Sequence, residues 1–423
     1  MSKPYVTLLG KAVRKIALLR GGGSALPGLF VEKIDPQFIK RTLSQLPEGV
    51  VVISGTNGKT TTTKMVVELL QSQGLRVFTN RTGSNFTRGV AAALLGEVDA
   101  RGQLEADIAV LELDEAHARH FVEAIKPRYS LLLNVLRDQL DRFGEIDTTT
   151  KMLERIAENT TDTVVLNRED PRIASIAGKL HHQNVVYFGL APSLRQLFPS
   201  DDAMRSGMSD STHTVKADVT LAALEGSKAR FTLGTQSVST GLELSGIYNV
   251  YNAAAALALV RAVVGEKVNQ DKLIDALAHV TPAFGRGESL LINGQPLEIV
   301  LVKNPSGFRL SLSSFSPKDY ATMIAINDNY ADGRDMSWLW DVDFDSLQKE
   351  GVVTVAGIRV YDMALRLQYD EVPTKYVEPS IAKALKQFIA TTGDQPKRIY
   401  CSYTAMLAVR RALAKITHVE KVS

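Results

Sequence analysis

A single cysteine, Cys401, stands in 423 residues, which excludes a disulfide within the chain and any cysteine-rich zinc site. Such sparing use of thiols fits a reducing compartment. Charge of one sign is missing too: 49 basic residues against 46 acidic ones leave a formal net charge of +3, so no broad attraction to nucleic acid is built in. No apolar run reaches the ~20 residues of a membrane span. The opening stretch MSKPYVTLLGKAVRKIALLRGGGSALPG carries cations throughout, where a signal peptide has an unbroken apolar core. What is present is ordinary globular composition, 45% hydrophobic and 22% charged, at a length that holds two or three domains.

In that opening stretch, Tyr5, Leu8, Leu9, Val13, Ile16 and Leu19 predict an amphipathic helix stopped by Gly21, Gly22 and Gly23. Packing on the domain behind it is the favoured reading. The other lays Lys11, Arg14, Lys15 and Arg20 on an anionic membrane surface.

The chain is organised around residues 49–74, GVVVISGTNGKTTTTKMVVELLQSQG. Val50 to Ile53 form a short β-branched run, as expected of a strand buried on both faces. Met65, Val66, Leu69 and Leu70 then recur at helical spacing, and Gly74 supplies a stop. Between them lies the loop Gly55, Thr56, Asn57, Gly58, Lys59, Thr60, Thr61. Its glycines let the backbone approach an anion, and the amides at the helix start point toward it. Lys59 is placed to reach the β- and γ-phosphates of a nucleotide, and the Thr60 hydroxyl to hold magnesium. Ile53 occupies the position where a full-length phosphate loop has glycine, so this is the shorter GTNGKTT form. A glycine-rich turn with an exposed lysine is the plain alternative.

Strands are expected at 75–79, 107–113, 129–135 and around 163–167, with helices between them, which argues for a doubly wound, mainly parallel α/β sheet. The polar residues from Asn80 to Gly89, among them Arg81, Thr82, Ser84, Asn85 and Arg88, read equally as an anion contact or as a solvated connection. Glu112, at the C-terminal end of its strand, is the favoured second magnesium ligand, because a metal bridging phosphates is held from two sides. His117 and His120 sit one turn apart, but no third ligand has suitable spacing. Asn134, Asp138, Gln139 and Asp141 form a polar cluster at the next strand's end, on the crevice side of an open sheet. Residues 190–216 read as an irregular excursion, followed by alternating strands at 217–224 and 229–233.

Asn249 and Asn252 open an alanine-rich helix and face the same side, as contacts to base or phosphate or as caps of the helix. Arg286, between Gly285 and Gly287 in what reads as a linker, is free to approach a phosphate bidentately. A second α/β unit follows. Its acidic loop, with Asp328, Asp332, Asp335, Asp341, Asp343 and Asp345, holds both tryptophans, Trp338 and Trp340. A solvated loop is the default; the tryptophans favour function or an interface.

Taken together, GTNGKTT (55–61), Glu112, NVLRDQLDRFG (134–144), GIYNVYNAAAA (246–256) and FGRGE (284–288) resemble the motifs of the Mur ligase superfamily. GGGSALPG, NRTGSNFTRG, LVKNPSGF and NDNYADGRDMSWLWDVDF narrow the resemblance to the branch that amidates lipid II. The resemblance implies a P-loop central domain with a mainly parallel sheet (49–285), preceded by an N-terminal helix and lead-in (1–48) and followed by a smaller C-terminal α/β ligase domain (286–423). It implies ATP-dependent amidation of the D-isoglutamate α-carboxylate through an acyl phosphate. ATP and Mg2+ are the implied cofactors, with no zinc, and the implied partner is a CobB/CobQ-like glutamine amidotransferase forming a heterodimer. Lipid II would be met in the cytoplasm at the inner face of the plasma membrane, and no nucleic acid is involved. Asp335 would orient ammonia or its source, beside Lys59 and Glu112 in catalysis; Asn249, Asn252 and Arg286 would contact nucleotide.

About 48 residues precede Gly49, too few for the domain that grips a UDP group in nucleotide-linked relatives. Gln139 replaces a metal-binding histidine of the superfamily. Glu154 falls where many relatives carry a carbamylated lysine, with Lys151 nearby. The alternatives are a folyl-polyglutamate synthase-like ligase and a non-catalytic protein gated by ATP.

Overall fold

A computed structural model describes Thr7, residues 9–14, 25–80, 86–136, 146–198, 215–225, 228–243, 246–281, 286–417 and Val419; side chains at 25–26 and 286–288 lie outside the description. Two compact units emerge. The first runs to Val135, resumes from Ile146 to Glu243 and again from Asn249 to Val280, and the second is made principally of the chain from Thr281 onward.

Among the described residues the first unit is built on nine strands: β1 (Val50–Ser54), β2 (Val77–Thr79), β3 (Ile108–Glu112), β4 (Tyr129–Leu132), β5 (Thr163–Asn167), β6 (Asn184–Leu190), β7 (Val219–Glu225), β8 (Lys228–Leu233) and β9 (Gln236–Gly241). Their order is β2-β3-β1-β4-β5-β6-β7-β8-β9. Pairing is parallel as far as β7 and antiparallel from β7 to β9. β1 and β3 are buried along their whole length, which explains their unbroken apolar sequences: both faces of a parallel strand are covered. From β1 the chain crosses to the edge strand β2, comes back to β3 between β2 and β1, and then passes to β4 on the other side of β1. That reversal opens a crevice at the C-terminal ends of β1 and β4, where open α/β sheets bind ligands.

The alanine-rich helix Ile247–Val264, taken with the turn that extends it to Lys267, is by length and composition apolar enough to cross a membrane, a property its sequence conceals behind scattered polar residues. Its central residues, Ala253 through Val260, are buried, and Tyr251 stacks against Phe188 and Phe198 with ring centroids 5.3 Å apart in each pair. This packing marks a core helix of the first unit. Helix Ala25–Ile34, which the sequence pattern did not single out, packs on helix Thr87–Glu97. The excursion begins as a 3-10 helix, Pro192–Leu197; residues 199–214 lie outside the described residues.

The second unit carries β10 (Arg286–Ile292), β11 (Gln295–Leu301), β12 (Ala321–Ala325), β13 (Val352–Ala356), β14 (Thr374–Glu378) and β15 (Lys397–Cys401). They are ordered β10-β11-β15-β12-β13-β14, parallel except for the β10–β11 hairpin. Arg286 therefore opens a strand, with a bulge between it and Glu288, and the free linker expected from its flanking glycines is corrected. Cys401 is fully buried in β15, and burial pushes its thiol well up, so it is inert as a nucleophile.

Buried Asp170 ties two strand ends together. Its Oδ1 accepts the amides of Arg172 (3.0 Å) and Ile173 (3.1 Å), capping helix Pro171–Ser175, and its Oδ2 accepts the Val135 amide at 2.6 Å. Asp170→Ala is expected to lower the unfolding free energy by about 3 kcal/mol in chemical denaturation, because a cap is lost and buried amides are orphaned. Burial, opposed by those amides, pushes the carboxyl from 3.8 to about 6. The folded protein therefore keeps an extra proton between these values. The contribution of this group is fullest below the unfolded pKa and declines as pH rises through about 6, a slope that Asp170→Ala removes.

Candidate functional site

β1 ends in the crevice and feeds the loop Gly55–Gly58. Gly55 (φ +133) and Gly58 (φ +88) take backbone conformations that favour glycine. A Cβ on Gly55 would lie 3.0 Å from the Asn134 amide nitrogen, and one on Gly58 would lie 2.8 Å from the Asn252 carboxamide oxygen. Asn134, just beyond β4, braces the loop across the crevice. Its carbonyl accepts the Thr56 amide at 3.0 Å, its Oδ1 accepts the Asn57 amide at 2.9 Å, and its Nδ2 donates to the Asn57 carbonyl at 3.0 Å. With these bonds made, the amides at the start of helix Lys59–Ser72 face the crevice, and their shared dipole favours an anion there.

The turn after β3 meets the same loop. The Thr60 hydroxyl donates to Glu112 Oε1 at 2.9 Å, and the Lys59 ammonium lies 3.3 Å from both carboxylate oxygens of Glu115. Lys59, Glu112 and Glu115 are 6%, 8% and 3% exposed. Lys59 also donates to the carbonyls of Gly55 and Thr56. Asn80 fixes the carboxylate-bearing backbone from the other side: its Nδ2 donates to the Glu112 carbonyl at 2.8 Å and its Oδ1 accepts the Glu112 amide at 3.0 Å.

Thr60, Glu112, Asn252 and the whole 55–61 loop thus lie together in the first unit, with Asn249 one turn before Asn252 on its helix. The polar residues read between 80 and 89 include Asn80, now a brace of Glu112, while Arg81, Thr82, Ser84 and Asn85 lie outside the described residues, as do Asp138, Gln139 and Asp141. Arg286 is described by its backbone alone. His117 and His120 are exposed; the His117 ring sits against Phe86 at 4.1 Å and near Asp114 at 3.3 Å. Glu154 pairs with Lys179 at 2.6 Å. What Glu115 and Asn134 do was not legible in the sequence, since pairing with Lys59 and bracing of the loop depend on which strands lie beside β1.

A nucleotide phosphate with Mg2+ suits this donor set. Gly55 and Gly58 let Asn134 and Asn252 close in on the loop where a Cβ would push them away. Thr61, in the first turn of its helix, buries a hydroxyl with no hydrogen-bond partner among the described residues. Thr60 and Glu112 bring together the hard oxygen ligands that magnesium takes.

In the second unit the acidic loop separates into different roles. Asp332 is buried; its carboxylate accepts the Thr404 amide (2.7 Å), the Thr404 hydroxyl and the Asn329 amide (3.0 Å), holding the start of helix Tyr403–Leu413. Asp328 pairs with Arg359 at 2.7 Å. Asp335 is exposed, and the Ser337 hydroxyl and amide hold its carboxyl below the usual range. Trp338, 6% exposed, belongs to the core beside Phe308, whereas Trp340 is 47% exposed and packs on Tyr369. The expectation that both tryptophans serve function or an interface is therefore corrected for Trp338. Among the described residues, Asp343, Asp345 and Asp370 are a trio close enough to share a metal, but Asp370 is already paired with Arg366.

Fold and loop together define a Mur-type, ATP-dependent ligase. The Mur ligase middle domain model matches residues 53–260, and the MurT ligase C-terminal model matches residues 301–406. Among curated proteins, the lipid II isoglutaminyl synthase (glutamine-hydrolyzing) subunit MurT of Streptococcus pneumoniae is 30% identical across 98% of this chain and 97% of its own length. A pseudomurein peptide ligase type C from Methanothermus fervidus shares the fold at TM-score 0.69 and 20% identity, covering 90% of this chain and 81% of that one. Folylpolyglutamate synthase from Mycobacterium tuberculosis, solved with ADP and AMPPCP, does so at TM-score 0.61 and 17% identity, covering 93% and 98%. The chain belongs to the MurT family of Mur ligases.

Gly58→Ala tests the cradle. Its Cβ would collide with Asn252 at a positive φ, so ADP binding should weaken at least tenfold and stability should fall by about 1–3 kcal/mol, read by calorimetry and thermal denaturation.

Proposed function

We propose that this chain is the synthetase subunit of an enzyme that converts the D-isoglutamate α-carboxylate of lipid II to D-isoglutamine, using ATP and ammonia released from glutamine by a partner amidotransferase of the CobB/CobQ-like class. The observation that carries the reading is the full-length similarity to the pneumococcal MurT subunit. A carboxylate oxygen of the substrate attacks the γ-phosphorus of ATP and ADP departs, leaving an acyl phosphate. Ammonia then adds to the acyl carbon, the C–O bond to phosphate breaks with its electron pair going to the departing phosphate, and the proton that the nitrogen gives up ends on that phosphate.

In this scheme the loop amides and Lys59 bind and orient the phosphates and stabilise charge that grows during phosphoryl transfer. Thr60 and Glu112 hold magnesium, which neutralises phosphate charge when bound. Asn249 and Asn252 contact the nucleotide. Arg286 and Asp335 take the roles that family resemblance implies: charge stabilisation in the phosphoryl step for Arg286, and orientation of ammonia or its source for Asp335. A lipid-linked substrate sets the work at the cytoplasmic face of the plasma membrane, and the word subunit in the relative's name supports a heterodimer.

Full-length chain, partner glutaminase, ATP, glutamine and lipid II should together yield lipid II with the mass of a carboxamide in place of a carboxyl. Lys59→Ala should lower this rate by roughly 100-fold or more. Turnover with tetrahydrofolate and glutamate in place of lipid II would overturn the assignment, and unchanged amidation by Lys59→Ala would overturn the role of the loop.

A further inference from the structure

The Lys59 side chain is engaged on every side by acceptors. Among the described residues, the Gly55 and Thr56 carbonyls and the Glu115 carboxylate accept from its ammonium. Of these acceptors only Glu115 is anionic, and it is as buried as the lysine itself, with side chains 4% and 7% exposed. Its position in the first turn of helix Glu115–Ala124 suits a negative side chain. A phosphate drawn to the same ammonium is repelled by that carboxylate, and an ammonium in this buried place left with no counter-charge would be costly. The two anions are therefore rivals for one cation.

We propose that Glu115 is a positioning residue that holds Lys59 whenever phosphate does not, and that it thereby sets nucleotide affinity below what the loop alone would give. The other carboxylate that meets the loop, Glu112, is engaged by Thr60 and does not share this role. The β3 turn thus handles the loop through two carboxylates three residues apart, one for the threonine that holds the metal and one for the lysine that holds the phosphate. The inference rests on the reading of residues 55–61 as a nucleotide loop.

The rivalry has a sign that a purely structural ion pair lacks. Glu115→Gln keeps the shape and removes the charge. Protein carrying it should melt at lower temperature without nucleotide, because buried Lys59 loses the Glu115 charge beside it, yet bind ADP with Mg2+ roughly tenfold more tightly. Glu115→Asp, whose carboxylate is drawn back by one methylene, should shift affinity in the same direction by less. In a Lys59→Ala background the gain from Glu115→Gln should vanish, since there is no cation left to contest. The readouts are titration calorimetry with ADP and magnesium, and thermal denaturation without them. Equal or weaker ADP binding by Glu115→Gln and Glu115→Asp overturns the proposal, as does a gain that persists without Lys59. Wild-type protein that binds no ADP overturns the nucleotide reading itself, an outcome distinct from the other two.

Discussion

The loop between β1 and its helix is a poor structure by itself: two glycines at positive φ, backbone amides that need partners from outside it, and a lysine whose local acceptors, the Gly55 and Thr56 carbonyls, carry no charge. It holds its form because Asn134, one strand away, satisfies the backbone on one side and the β3 turn satisfies Lys59 and Thr60 on the other. Both supports exist only because β3 and β4 flank β1 in parallel register. The reversal of strand order at β1 is thus what makes a phosphate cradle possible here, and the hydrogen bonds of Asn134 and Glu112 carry that topology into the chemistry of the site.

The same logic explains the residues around it. Asn80 gives both ends of its carboxamide to the Glu112 backbone, so the magnesium candidate cannot drift from Thr60. Asp170 joins the chain beyond β4 to the helix after β5, and its raised pKa records how dry that junction is. Tyr251, held between two phenylalanines, donates to Asn167 at the end of β5, which fixes the helix bearing Asn252 beside Gly58. In the second unit the acidic loop is similarly divided between buried and exposed carboxylates. Asp332 is spent on holding a helix start, whereas Asp335 remains exposed and anionic.

Much of this was legible in the sequence because it is local. The β-branched run, the glycine spacing and the Lys-Thr pair at 59–60 specify strand, turn and helix through neighbouring residues, and the apolar runs of β3, β4 and β5 needed only burial on two faces. What escaped was non-local or disguised. β9, QSVSTG, and β14, TKYVE, are edge strands whose polar residues carry little apolar pattern. Helix Pro305–Ser314 opens with Asn-Pro-Ser-Gly, which reads as a turn, although Asn304 caps it by accepting the Gly307 amide. Arg286 looked like a linker residue because glycines flank it, yet pairing with Val300 draws it into β10. Trp338 looked like an exposed anchor because aspartates surround it in sequence; in space Phe308 and the apolar core of the second unit surround it.

The central claim is that nucleotide engages this loop and acts on the β3 turn through it. Hydrogen–deuterium exchange with and without ADP and magnesium tests it most directly. The account predicts slower exchange in residues 55–62, together with a change in residues 112–118, where the contested lysine and the bound threonine have their partners. Unaltered exchange in both segments at saturating ADP, with protection elsewhere in the chain, would contradict it.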